Sequence, residues 1–149
     1  LRIILGITTP TKGLIKRCSE DLKISYLGHK NAIKNYLTPI ENLELLFNDV
    51  EIKIAYEWLY KFNLSHVQDE LAASLSFGQQ KKLALIRVLA QSPELIVLDE
   101  PFVGLDQTAA DQLNHFLEEQ LSKGVGLIFT SHINPKISCK VLDLEAKNA

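Results

Sequence analysis

The sequence predicts an α/β fold, with a mainly parallel sheet carrying helices and a mostly helical insert over residues 31–91. Three observations carry this reading. Residues 95–98 (LIVL) and 127–130 (LIFT) are apolar runs too short for helices. Neither shows the alternation of a strand wet on one side, so they read as strands covered on both faces. Residues 106–123, between them, have helical periodicity, which gives the strand–helix–strand order of parallel neighbours. Upstream, residues 38–90 hold three successive helical patterns, the first and third opened by capping boxes.

Residues 1–5 read as the closing turns of a helix, stopped at Gly6, a residue free to take positive φ. TTPTKG, at 8–13, is a turn: Pro10 presets φ and Gly13 supplies the permissive position. Residues 14–16 and 22–27 are expected as short strands, and 28–39 (GHKNAIKNYLTP) as a loop. Thr38 then caps a helix with Pro39 in its first position and Glu41 three residues beyond the cap, a capping box. Ala55, Trp58, Leu59 and Phe62 mark the buried stripe of the next helix, with Glu51, Lys53, Glu57 and Lys61 on its wet side. Trp58, Tyr56 and Tyr60 are read as core and boundary residues rather than as base-stacking ones.

Ser76 and Gln79 form a second capping box that starts a helix near Phe77. It runs through Ala90 and is apolar on nearly all sides. Asp106 caps the helix ending at Lys123, with Leu113, Phe116, Leu117 and Leu121 inward and Gly124 as its stop. Residues 141–145 are expected to add a further strand.

The chemistry concentrates where the first of the apolar strands ends. Asp99 and Glu100 follow it, and Pro101, which has no N–H for a sheet ladder, stops the pairing there. The acids therefore sit at the carboxyl edge, where open α/β sheets bind ligands. Two adjacent carboxylates can divide the labour of nucleotide hydrolysis: Asp99 holds Mg²⁺, directly or through water, and Glu100 orients and deprotonates the attacking water. His132, just past the second strand, falls at the same edge and can donate to a terminal phosphate. The Ser76 hydroxyl and the positive end of its helix make a natural place for phosphate oxygens.

Composition narrows the partners. With 16 Lys and Arg against 18 Asp and Glu, the net charge of −2 gives no electrostatic case for a nucleic-acid partner. No apolar run approaches the length of about 20 residues needed to span a bilayer. Cys18 and Cys139 lie far apart without metal-ligand spacing, as in a reducing compartment. The chain does not begin with Met, and it is read as a piece of a longer protein.

Residues 75–106, LSFGQQKKLALIRVLAQSPELIVLDEPFVGLD, resemble the run from signature motif through Walker B to D-loop of ABC-type ATPases, and TSH at 130–132 looks like their switch histidine. Several motifs of unlike chemistry in one order make this a specific resemblance, and it covers essentially the whole chain. It implies a P-loop NTPase core formed by residues 1–30 and 92–149, with a helical subdomain over 31–91. It implies ATP and Mg²⁺ as cofactors, Asp99 as the metal residue, Glu100 as the catalytic carboxylate and His132 as the γ-phosphate contact. Ser76, Gly78 and Gln79 would then meet ATP bound to a second subunit of a head-to-tail dimer, with Asp106 at the dimer seam. The stretch YLGHKNAIKNYLTPIENL is similar to the branch of the family that serves haem export in cytochrome c biogenesis. That implies a peripheral subunit on the cytoplasmic face of the inner or plasma membrane, joined to a transmembrane permease between His29 and Leu46. An ABC protein of translation or DNA repair, and a non-catalytic subunit that pairs with an intact one, are the alternatives.

The departures from the family pattern are specific. No GxxxxGK[ST] loop occurs in the sequence, and the upstream aromatic that stacks on adenine is missing. His29, followed by Lys30, stands where a metal-contacting glutamine is usual, Phe77 where a second glycine is usual, and Ile133 where aspartate commonly follows the histidine. Without the phosphate-binding loop, these 149 residues alone are expected to bind nucleotide weakly and to hydrolyse none.

Overall fold

A computed structural model describes residues 1–16, 19, 21–132 and 137–142. Among these residues three parallel strands, β1 (Ile24–Leu27), β2 (Leu95–Asp99) and β3 (Gly126–Thr130), lie in that order across the sheet. The register pairs Ile24 with Leu95 and Leu27 with Leu98 on one side, and Leu95 with Gly126 and Asp99 with Thr130 on the other. As the unbroken apolar run predicts, Ile96, Val97 and Leu98 of the central strand are buried.

Among the described residues four α-helices accompany the sheet: α1 (Pro39–Glu44), α2 (Glu51–Lys61), α3 (Phe77–Leu89) and α4 (Gln107–Ser122). Helix α3 packs on β1 and on α2, and α4 packs on β3. Both predicted capping boxes form. The Thr38 hydroxyl accepts the Glu41 N–H and the Glu41 carboxylate accepts the Thr38 N–H; Ser76 and Gln79 exchange the equivalent bonds. Asp106 caps α4 by accepting the Ala109 N–H at 2.9 Å. Gly6, at φ 71°, closes the first turns, with Ile7 N–H bonded to the Arg2 carbonyl and Gly6 N–H to that of Ile3.

Trp58 joins α2 to α4, its ring 5.3 Å from Phe62 and edge-on to Phe116 at 5.7 Å. Through this joint one apolar cluster runs from α2 across α3 to β2 and α4. Asn42, buried on α1, organises the loop before it: its amide nitrogen donates to the Lys34, Leu37 and Thr38 carbonyls and its oxygen accepts the Lys34 N–H.

Four expectations need correction. Residues 14–16 form no strand; Leu14 is 78% exposed after the Gly13 turn, and a strand without a partner has no ladder to hold it. Residues 22 and 23 precede β1 rather than belonging to it. Tyr60 is a solvated residue rather than a boundary one, because it lies two positions, about 200° around the helix, from Trp58. Leu121, in the last turn of α4, is exposed instead of facing the core. The strand expected at 141–145 falls largely outside the described residues; Val141 and Leu142 are exposed and non-regular.

Candidate functional site

The parallel register assembles the site. Pairing of Asp99 with Thr130 sets the ends of β2 and β3 side by side, so the residues after each emerge at one edge. There the Thr130 hydroxyl donates to Asp99 Oδ1 at 2.7 Å and accepts the Glu100 N–H at 3.1 Å. Glu100 turns the chain out of the sheet in the left-handed region, φ 47°, where a non-glycine residue costs about 1–2 kcal/mol. Its carboxylate accepts the His132 N–H at 3.3 Å, and its other oxygen lies 3.3 Å from His132 Nε2. Glu100 is sheltered, with 18% of its side chain exposed, whereas the His132 ring is 93% exposed.

These residues line a cleft of about 620 Å³ together with His29, Phe77 and Lys81. The structure thus brings together the predicted Asp99, Glu100 and His132. It leaves Ser76, Gly78, Gln79 and Asp106 off this lining. Phe77, 62% exposed, forms one wall and lies over Gly104. Gly78 comes so close to the Gly104 carbonyl that a Cβ there would stand 2.7 Å from its oxygen. The first turn of α3 and the turn carrying Glu100 are therefore in backbone contact. At the outer rim of that helix, the Phe77 and Gly78 N–H groups have no protein acceptor among the described residues, as the first N–H groups of a helix lack intrahelical partners. Asp106 pairs with Lys82, and that bond, helped by the Ala109 N–H, holds its carboxyl below the usual carboxylate range.

Two residues of this edge were missed as functional by sequence reasoning. Lys81 is 4% exposed, and its ammonium makes no hydrogen bond or ion pair among the described residues. Burial pulls its ammonium below the ordinary lysine range, while Asp99 and Glu100 push it back up. The available signal was its place on the same helical stripe as buried Leu85 and Val88, at i+4 and i+7. Thr130 was visible only as part of TSH, with no hint that its hydroxyl serves both acids. Arg87, further along α3, anchors the cleft's other wall by donating to the carbonyls of Asn31 and Ala32.

The donor set can be tested against Mg²⁺. Carboxylate and hydroxyl oxygens at one edge suit a hard cation, which commonly takes one or two carboxylates and fills its shell from phosphates and water. Among the described residues no group of three or more His, Cys, Asp and Glu could hold a metal unaided. Asp99 and Glu100 are thus of the donor type that such a cation takes.

The chain is similar to known proteins. A family model described as ABC transporter matches residues 1–103. The chain is 37% identical over 147 residues to the cytochrome c biogenesis ATP-binding export protein CcmA of Sodalis glossinidius, covering 89% of this chain and 68% of that protein. It is 34% identical over 143 residues to the CcmA of Idiomarina loihiensis, covering 89% and 66%. It thus spans about two thirds of the length of these curated relatives. Among solved structures, the ATP-binding subunit of an ABC transporter superposes with a TM-score of 0.74 at 26% identity, over 89% of this chain and 61% of that one. The cassette MJ0796 in a post-hydrolysis state, bound to ADP and Pi, gives 0.70 at 25%, over 89% and 68%. The fold expected from the sequence is the fold found, and the chain belongs to the family of ABC transporter ATP-binding subunits.

Proposed function

We propose that this chain carries the hydrolytic edge of an ATP-binding subunit serving an exporter of cytochrome c biogenesis, with haem as the exported cargo. The observation that carries the reading is the meeting of Glu100 and His132 at 3.3 Å, beside Asp99, in one open cleft. Likeness to CcmA proteins supports transport over a role in translation or DNA repair.

In this reading Asp99, with Oδ1 taken by Thr130, offers Oδ2 to Mg²⁺. An ion held there would neutralise phosphate charge during phosphoryl transfer. Glu100 accepts the proton of the attacking water, and its sheltered carboxylate is already aimed at the edge where that water would stand. His132 donates from its exposed ring to the terminal phosphate. Ser76, Gly78 and Gln79, with the free Phe77 and Gly78 N–H groups, face phosphates held by a second copy in a head-to-tail dimer. Asp106 sits at the seam between the copies.

The transmembrane permease docks between His29 and Leu46, where Tyr36, Leu45 and Leu46 expose apolar surface. Among the described residues no helix is long and apolar enough to cross a membrane. We assign the subunit to a peripheral place on the cytoplasmic face, and its division to a core lobe of 1–30 and 92–149 with a helical subdomain of 31–91.

The 149 residues alone, having no GxxxxGK[ST] loop, bind nucleotide weakly and turn over none. The test compares this chain with the complete reading frame that contains it. Glu100→Gln is expected to lower ATP turnover of the complete protein by about a hundredfold or more, and the chain alone should show no turnover above background. Turnover by the chain alone that Glu100→Gln abolishes, or a complete protein indifferent to Glu100→Gln, would contradict the proposal.

A further inference from the structure

We propose that Thr130 is a positioning residue that sets the orientation of both cleft carboxylates through a single hydroxyl. The inference rests on the ATPase reading above for its consequence, but its geometry is independent of it.

A hydroxyl has one hydrogen to give and lone pairs to receive. At Thr130 both capacities are assigned without ambiguity. The Glu100 N–H can only donate, so the oxygen accepts there at 3.1 Å, and the hydroxyl hydrogen goes to Asp99 Oδ1 at 2.7 Å. The acceptor on Asp99 is a carboxylate oxygen, which makes that bond charge-assisted and directional. Each half has a distinct consequence. The donated bond fixes the plane of the Asp99 carboxylate and leaves Oδ2 for a cation. The accepted bond holds Glu100 at φ 47°, from which its side chain reaches His132.

The register makes this arrangement possible: Asp99 and Thr130 are directly paired, so a residue on β3 reaches the last position of β2 and the first residue beyond it. Valine in place of Thr130 would keep the branched shape suited to a strand and remove both bonds at once. Serine would keep both.

The experiment has two readouts. In the complete reading frame, ATP turnover is measured against Mg²⁺ concentration. Thr130→Val is expected to raise the half-saturating Mg²⁺ concentration and lower kcat, each by about ten- to a hundredfold, as loss of an outer hydrogen-bond partner does at metal sites. Thr130→Ser should restore both. In the 149-residue chain, amide hydrogen exchange at Glu100 should accelerate in Thr130→Val and stay slow in Thr130→Ser. If Thr130→Val does not fold, as judged by circular dichroism, the Thr130→Ala and Thr130→Ser pair decides by the same criteria.

The inference is overturned if Thr130→Val matches the parent protein in Mg²⁺ response and Glu100 exchange, or if Thr130→Ser is as impaired as Thr130→Val. Glu100→Gln separates the two claims. Turnover that survives Glu100→Gln defeats the ATPase reading and leaves Thr130 to be judged by exchange. Turnover lost in Glu100→Gln but normal in Thr130→Val defeats only the inference about Thr130.

Discussion

Gly78→Ala isolates the contact between the first turn of α3 and the turn that carries Glu100. Helix propensity alone favours alanine over glycine by up to about 1 kcal/mol, less in a first turn than in a helix interior. Packing points the other way. The added Cβ would stand 2.7 Å from the Gly104 carbonyl oxygen, a backbone atom that cannot rotate aside as a side-chain tip can. Forced overpacking of this kind typically costs about 1–3 kcal/mol. The net expectation is a loss of about 1–2 kcal/mol, or a melting temperature lower by about 2–8 °C for a domain of this size. Truncating Phe77 to alanine should not rescue the variant, because the obstacle is not the ring. Thermal unfolding followed by circular dichroism measures the effect. A Gly78→Ala protein that melts at or above the parent temperature, the outcome propensity alone predicts, would mean that the Gly104 carbonyl does not oppose a Cβ there.

Other expected outcomes concern the surroundings of the site. Asn42→Ala removes four hydrogen bonds from a buried amide and strands the Lys34 N–H, so denaturant unfolding should reveal a loss of about 2–3 kcal/mol; a loss no larger than that of an exposed substitution would argue against its organising role. Asp106→Asn keeps a good N-cap but gives up the pair with Lys82. Because the folded Asp106 carboxyl lies below its unfolded value, its stabilisation is present above the ordinary carboxylate range and fades as pH falls through the folded value. The group is 57% exposed, so the stability difference at neutral pH should be under about 1 kcal/mol, shrink in salt, and vanish in acid; a difference unchanged by acid contradicts this.

Much of the fold was legible because it is set locally. Both capping boxes, the Asp106 cap and the stripe from Ala55 to Phe62 depend on residues three or four apart, and each forms as read. The buried β2 run was legible for the same reason. What the sequence hid depends on partners distant along the chain. Residues 14–16 have, among the described residues, no neighbouring strand to bond. The left-handed turn at Glu100 is unfavourable in isolation and is held by a hydroxyl thirty positions away. Lys81 looked like one more polar residue until the packing of α3 turned it toward the acids. The acid pair and the histidine could be placed at one edge because strand ends carry that information. The residues that orient them could not, because hydrogen bonding across the register has no periodic signature.

Whether Asp99, Glu100 and His132 surround a shared phosphate is decided by titrating Mg²⁺–ATP into the isotopically labelled chain and following amide resonances. Weak, saturable shifts are expected, concentrated at Asp99, Glu100 and residues 130–132, and lost in Asp99→Asn. Shifts that cluster away from this edge, or that persist undiminished in Asp99→Asn, would contradict it.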